Sequence, residues 1–169
     1  MNLEISISQL RHQGKAIIAL GKGISIEQAQ WKPSPEDWSI LEVLNHLVDE
    51  EILDFRRHLH HILFTPGEPW PEIAPQAWVG DKKYNLRALD ETLENFKSER
   101  EKSIRWLEGL RAATWDAMIQ LPWGKLSAGD MMASWLAHDL LHLRQMVDLR
   151  YHLTLSNSLP YNVDYAGKW

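Results

Sequence analysis

The chain contains no cysteine. That one absence removes disulfides, thiolate metal ligands and a cysteine nucleophile together, so any sulfur chemistry would need a thiol carried in by another molecule. Positive charge is also short. Lys and Arg number 18 against 23 Asp and Glu, for a net charge of −5, and the clustered basic surface that nucleic acid requires is not to be expected. No run of about 18 apolar residues occurs, and the opening MNLEISISQLRHQGK has no basic stretch followed by an apolar core, so neither a membrane partner nor a secretory leader is expected and the cytoplasm is the default location. Nor is there a run of alternating β-branched residues bounded by turn signals, which leaves an all-α fold.

What is present is helical periodicity along 169 residues, a length that fits a single domain, 1–169, with an ordinary apolar core. A first helix is expected from about Leu3 to Leu20, closed by Gly21 and Gly23. After a proline-containing loop from Trp31 to Asp37, a second helix opens at Ser39, because Ser39 and Glu42 have the spacing of a capping box, and runs to about Leu63. From Thr65 to Tyr84 the prolines and glycines exclude a continuous helix and leave a long connection of the kind that covers a site or crosses a fold. A third helix is expected over Arg87 to Leu110, amphipathic through Leu89, Leu93, Phe96, Ile104 and Leu107. Pro122 and Gly124 fall in a loop before a fourth helix capped by Ser127 and reaching about Leu153. The tail from Thr154 to Trp169 has no clear period. Four helices of this length, two joined by a long link, fit a four-helix bundle whose second and third helices need not be antiparallel neighbours.

The strongest local pattern is His138-Asp-Leu-Leu-His142, since residues four apart stack on one helix face and can turn two imidazoles toward one ion. Met131, Trp135, His138, His142, Gln145 and Leu149 form a single stripe, which is expected to face the core. Two buried neutral histidines need partners that a shared cation would supply. On the second helix, His46 and Glu50 fall in an arc with Ile40, Val43, Leu47 and Leu53, whereas Asn45 and Asp49 point away from it. Three histidines with an open fourth position can hold a divalent metal that also takes a water or a substrate atom. Glu50 is the candidate general base, with Glu51 close to the same arc and a rim ion pair as the alternative role. His58, His60 and His61 read as cations that favour a helix C-terminus. His12 and His152 read as structural or exposed.

The second-helix opening Trp38-Ser-Ile-Leu-Glu-Val-Leu-Asn-His46-Leu47, the amphipathic third helix beginning near Tyr84, and His138-Asp-Leu-Leu-His-Leu-Arg-Gln145 together make the chain resemble the DinB-like, or YfiT-like, four-helix bundle proteins of bacteria. The resemblance implies an up-down-down-up bundle and a three-histidine site for zinc, nickel or a similar ion, falling on His46, His138 and His142. It also implies a metal-dependent transferase that uses a low-molecular-weight thiol such as bacillithiol or mycothiol, although many such proteins have no established activity. On that reading the partner is a small molecule, Glu50 relays a proton, and the long connection walls the pocket with Trp70 and Trp78. Two rivals stand beside it. One is a zinc hydrolase of the H-E-x-x-H type, weakened because Asp139 occupies the glutamate's place and no third histidine follows at Asp148. The other is a non-catalytic metal-binding or interaction bundle, for which a homodimer through a spare apolar face is an expected arrangement.

Overall fold

The computed structural model describes residues 1–169. Helix α1 spans Leu3–Gly21, and the short α2 covers Ile26–Gln30. The second long rod is composite: α3, Ile40–Asp49, passes through a π-helical segment, Glu50–Phe55, into α4, Arg56–Phe64. Helix α5, Pro75–Asp81, interrupts the long connection, and α6 spans Leu89–Glu108. Strands β1, Met118–Leu121, and β2, Gly124–Ser127, precede α7, Ala128–Asn157. The Ser39 capping box forms as the sequence predicts, with Ser39 Oγ accepting from the Glu42 amide and Glu42 Oε2 accepting from the Ser39 amide.

Helix directions follow from which residues meet. Arg11 pairs with Glu108 at 2.6 Å, and Gly21 abuts Leu93, so α1 and α6 run antiparallel. Along the second rod, Asn45 meets Thr92, Glu51 meets Arg100 and Arg56 meets Ser103; the rod and α6 therefore run parallel. His46 faces His142 while Phe55 stacks on Trp135, which sets α7 antiparallel to the rod and parallel to α1. The bundle is up-down-down-up. Two successive helices pointing the same way require a return path along the bundle, and that is the role of the chain between Phe64 and Leu89.

The apolar core divides in two. One cluster gathers Leu10, Phe55, Leu59, Leu107, Met132 and Trp135, and the other gathers Ile17, Ile40, Leu44, Phe96, Met146 and Leu149. Between them lies a polar layer of His46, Glu50, Glu51, Arg100 and Asp139, all buried.

Three features add to the sequence expectations. The residues read as a loop around Pro122 and Gly124 form an antiparallel hairpin with Ile119 opposite Leu126. It escapes a periodicity search because each strand has only four residues, although Ile119 and Leu121 alternate into the core as a half-buried strand should. Asn45 and Asp49 do point away from the histidine arc, but toward protein. The Asn45 amide donates to the Leu41 carbonyl and to Thr92 Oγ1, and Asp49 accepts from Lys82 and Tyr84. Finally, the π turn leaves no signal in the periodicity of the sequence.

Candidate metal centre

His46 comes from α3, and His138 and His142 come from successive turns of α7. Their ring nitrogens converge: His46 Nε2 lies 3.4 Å from His138 Nε2, which lies 3.1 Å from His142 Nε2, and one ligand atom from each of the three lies within 4.8 Å of the others. Metal–nitrogen bonds of about 2.0–2.1 Å in tetrahedral geometry put neighbouring ligand nitrogens about 3.3–3.4 Å apart. Burial, the dominant cause, holds all three imidazoles below their ordinary pKa, His46 at about 2 and His138 at about 4. The cluster is therefore neutral near pH 7, and three neutral nitrogens facing one another cannot all be satisfied by mutual hydrogen bonds. A shared cation is the group this donor set fits.

The supporting contacts agree. His142 Nδ1 donates to Gln145 Oε1 at 2.8 Å, which fixes the tautomer with a lone pair on Nε2. His46 Nδ1 and Glu50 Oε1 are both buried without a partner and lie 3.6 Å apart, so a shift of a few tenths of an ångström would pair them in the same manner. Glu50 Oε2 stands 4.0 Å from His138 Nε2. Aromatic rings hold the imidazoles in place: Trp38 lies edge-on to His46 at 4.9 Å, and Phe55 lies 5.0 Å from His138.

The cluster forms the floor of an open cavity of about 570 Å³, whose wall includes Trp38, Phe55, Asp54 and Gln145. The long connection does wall it, though with Pro75 and Gln76 rather than with tryptophan. Trp70 instead stacks on His58 at 4.1 Å, and Trp78 lies under the Lys82 ammonium. The reading of His58, His60 and His61 as cations that favour a helix C-terminus is corrected for two of them. His58 is buried, with Nδ1 2.6 Å from Asp54 Oδ1 and Nε2 2.7 Å from the Pro71 carbonyl. His61 is also buried and beside Trp70, and burial holds its pKa down. Only His60 is exposed.

Glu50 and Glu51, adjacent in sequence, separate cleanly. Glu50 lines the cavity, and burial, followed by the neighbouring Asp54 carboxyl, pushes it up to about 9. Glu51 turns the other way and accepts from Arg100 Nε at 2.6 Å. Arg100 also donates to both oxygens of Asp139, at 2.6 and 2.9 Å, and to the Leu10 carbonyl at 3.0 Å. The residue in the glutamate position of the H-E-x-x-H reading thus faces away from the histidines and into the core. Sequence reasoning missed Arg100, Asp54 and Phe55, because a charged or aromatic residue in an amphipathic helix carries no mark of which partner it meets.

These shifts give the metal-free protein a stability maximum near pH 6.5. Below 6.5 the unfolded chain takes up protons that folded His46 and His138 refuse, so stability falls as the pH drops toward 4. Above it, Glu50 keeps a proton in the folded state that the unfolded chain releases near 4.5, so stability falls as the pH rises toward 9. Each limb should slope by about 1.4 kcal/mol per pH unit per uncompensated proton. Urea midpoints of chelator-treated protein across pH 4 to 9 read this directly, and Glu50→Gln should flatten the alkaline limb and steepen the acid limb between about 4.5 and 6.5, where the Glu50 proton offsets part of the histidine effect. A profile flat on both sides would contradict the burial assigned to these groups.

A four-helix bundle whose polar waist opens through three histidines into a cavity defines a class of candidate metalloproteins. The family model of the DinB superfamily matches residues 9–146, and the chain belongs to that superfamily. Among solved structures it is similar to YfiT from Bacillus subtilis, with a TM-score of 0.76 and 15% identity over 90% of this chain and 87% of that one. That protein is described as "a probable metal-dependent hydrolase with an unusual four-helix bundle topology"; at this identity the likeness is one of fold. No curated protein matches the chain at a significant level.

Proposed function

We propose that the protein is a metal-dependent transferase that joins a low-molecular-weight thiol to an electrophilic small molecule, with His46, His138 and His142 as ligands of a divalent ion, zinc or nickel by the chemistry of an all-imidazole donor set. The observation that carries the metal-dependent part is the convergence of three neutral Nε2 atoms on the floor of a cavity, with the Glu50 carboxyl beside them. The absence of cysteine supports an external sulfur.

A divalent ion held there would lower the pKa of a thiol or water that reaches its open side. The remaining work falls to the chain. Glu50 Oε2 faces the same point; a cation on the three imidazoles would favour its ionised form over the protonated one that burial favours in the metal-free protein, and the carboxylate is then placed to accept the nucleophile's proton. Gln145 holds the His142 ring, while Trp38 and Phe55 keep water from two sides of the floor. In the transfer, sulfur forms the new bond to the electrophilic carbon, the leaving group departs with the bonding pair, and the thiol proton goes to Glu50.

Hydrolysis is the second reading, favoured by the same carboxyl beside the ligand cluster and by the description of YfiT. Metal-loaded protein incubated with aryl halides, epoxides and activated esters, with and without added thiol, separates the two. Turnover that requires the thiol and gives a thioether from the halide or epoxide, or a thioester from the ester, supports transfer; equal turnover without thiol supports hydrolysis and ends the transferase proposal. In either case Glu50→Gln should lower kcat by about 10²–10⁴-fold while metal content stays at the parent level. An unchanged kcat would remove Glu50 from the proton pathway.

A further inference from the structure

The cavity over the histidines is lined by four acidic side chains, Glu36, Asp37, Glu50 and Asp54, and by no lysine or arginine. Glu36 and Asp37 are exposed at its mouth, on the loop leading to Ser39, whereas Glu50 is buried at its floor. Asp37 makes no ion pair, and Glu36 accepts only from Ser34 Oγ, at 3.0 Å. Glu50 adds a further pointer to a ligand: its side chain is only 4% exposed, its Oε1 is buried without a hydrogen-bond partner, and its Oε2 turns toward the cavity floor.

From this arrangement we infer that the small molecule taken by the cavity carries a positive charge, an ammonium or guanidinium group held at the mouth by Glu36 and Asp37 with Asp54 further in, while its donor or reacting end lies at the histidine floor. The inference rests on the small-molecule reading above and adds the substrate's charge to it.

An ion on the three neutral imidazoles brings two positive charges to the floor, against four carboxyl groups of which two stand at the mouth. The outer half of the cavity therefore keeps a negative potential whichever way Glu50 holds its proton, and low-dielectric walls focus it. A carboxylate or phosphate on the substrate would have to pass the mouth acids without a single cationic partner on the way. An ammonium at the mouth meets the carboxylates of Glu36 and Asp37, away from the positive floor, and the Trp38 and Phe55 rings at the wall do not oppose it.

The test uses four probes with a short n-alkyl chain and different heads: butylammonium, butyltrimethylammonium, butan-1-ol and butanoate, with binding read by ligand-observed NMR at low ionic strength on metal-loaded and on chelator-treated protein. Butyltrimethylammonium has no lone pair for a metal, so its binding reports the carboxylates alone. Both cations should bind about tenfold more tightly than the alcohol, and the preference should shrink as salt is added. In the Glu36→Gln/Asp37→Asn variant the preference should fall by at least about fivefold, on the same scale, with metal content unchanged. Cations binding no better than the alcohol, a preference untouched in the variant, butanoate binding most tightly to the loaded protein, or no probe binding at all would each overturn the inference. Metal content is measured on the same samples. Its absence would remove the catalytic reading, while the cation preference, read on metal-free protein, stands or falls by itself.

Discussion

Arg100→Met is expected to lower the unfolding free energy by about 3–5 kcal/mol, the cost of stranding buried charge without its partner. Arg100 is 4% exposed, and Glu51 and Asp139, the carboxylates it binds, are each 1% exposed. Methionine fills a similar volume and leaves two carboxylates facing each other in the core, with the Leu10 carbonyl also losing its donor. The group is sterically specified as well. A Cβ at Gly14 would lie 3.2 Å from Arg100 Cγ, so glycine there makes room for the arginine stem. Urea denaturation of Arg100→Met beside a triple variant, Arg100→Met/Glu51→Met/Asp139→Leu, tests the account. The triple variant should recover most of the loss, because apolar groups of similar volume often replace a buried ionic cluster at little cost. If Arg100→Met is as stable as the parent, or the triple variant is as unstable as the single one, the cluster is not held by charge pairing.

Replacing any one of His46, His138 or His142 by alanine should abolish stoichiometric metal binding. Loss of a partner that merely orients a ligand costs about 10–100-fold in affinity, and loss of a ligand itself should exceed that. Elemental analysis of untagged protein after dialysis against limiting zinc or nickel gives the first reading. Thermal unfolding gives a second, since an ion that binds only the folded state raises the parent's midpoint and leaves the alanine variants where they were. Gln145→Ala should sit between, retaining metal with affinity about tenfold lower, because it removes only the acceptor for His142 Nδ1. A parent that stays metal-free after reconstitution, or variants that bind as the parent does, would dismiss the centre.

The fold and the histidines were legible for the same physical reason. Amphipathic periodicity fixed the four long helices, and the Ser39 and Ser127 caps marked two of their starts to the residue. The stripe through Trp135, His138, His142 and Leu149 placed two histidines toward the interior of the bundle, and one arc of α3 placed a third. What a helical wheel does not contain is the partner across the interface. Arg100 looks like one more charged residue of α6, and only the packing of α6 against the second rod and α7 turns it into the centre of a buried ion cluster. His58 was misread on the same ground. Its position near a helix end suggested a cation facing the helix C-terminus, whereas the long connection folds back and lays Trp70 over it. The hairpin was lost because four-residue strands are shorter than the window in which alternation can be recognised.

The π-helical segment Glu50–Phe55 has a bearing on how this site could change. An i→i+5 turn holds one residue more than an α-helical turn, and on a regular helix one residue amounts to a rotation of about 100°. His46 lies before the widened turn and Arg56, which donates to Glu99 and Ser103, lies after it. The second rod therefore works as two dials set against each other, the first turning His46 to the histidines of α7 and Asn45 to α6, the second turning Arg56 to α6 and Leu59 to the core it shares with Trp135 of α7. Deleting a single residue between them, such as Ile52, would restore a uniform helix and force a choice between the two alignments. A one-residue insertion, ordinarily among the most disruptive events a packed helix can undergo, is at this point the condition under which both faces meet their partners.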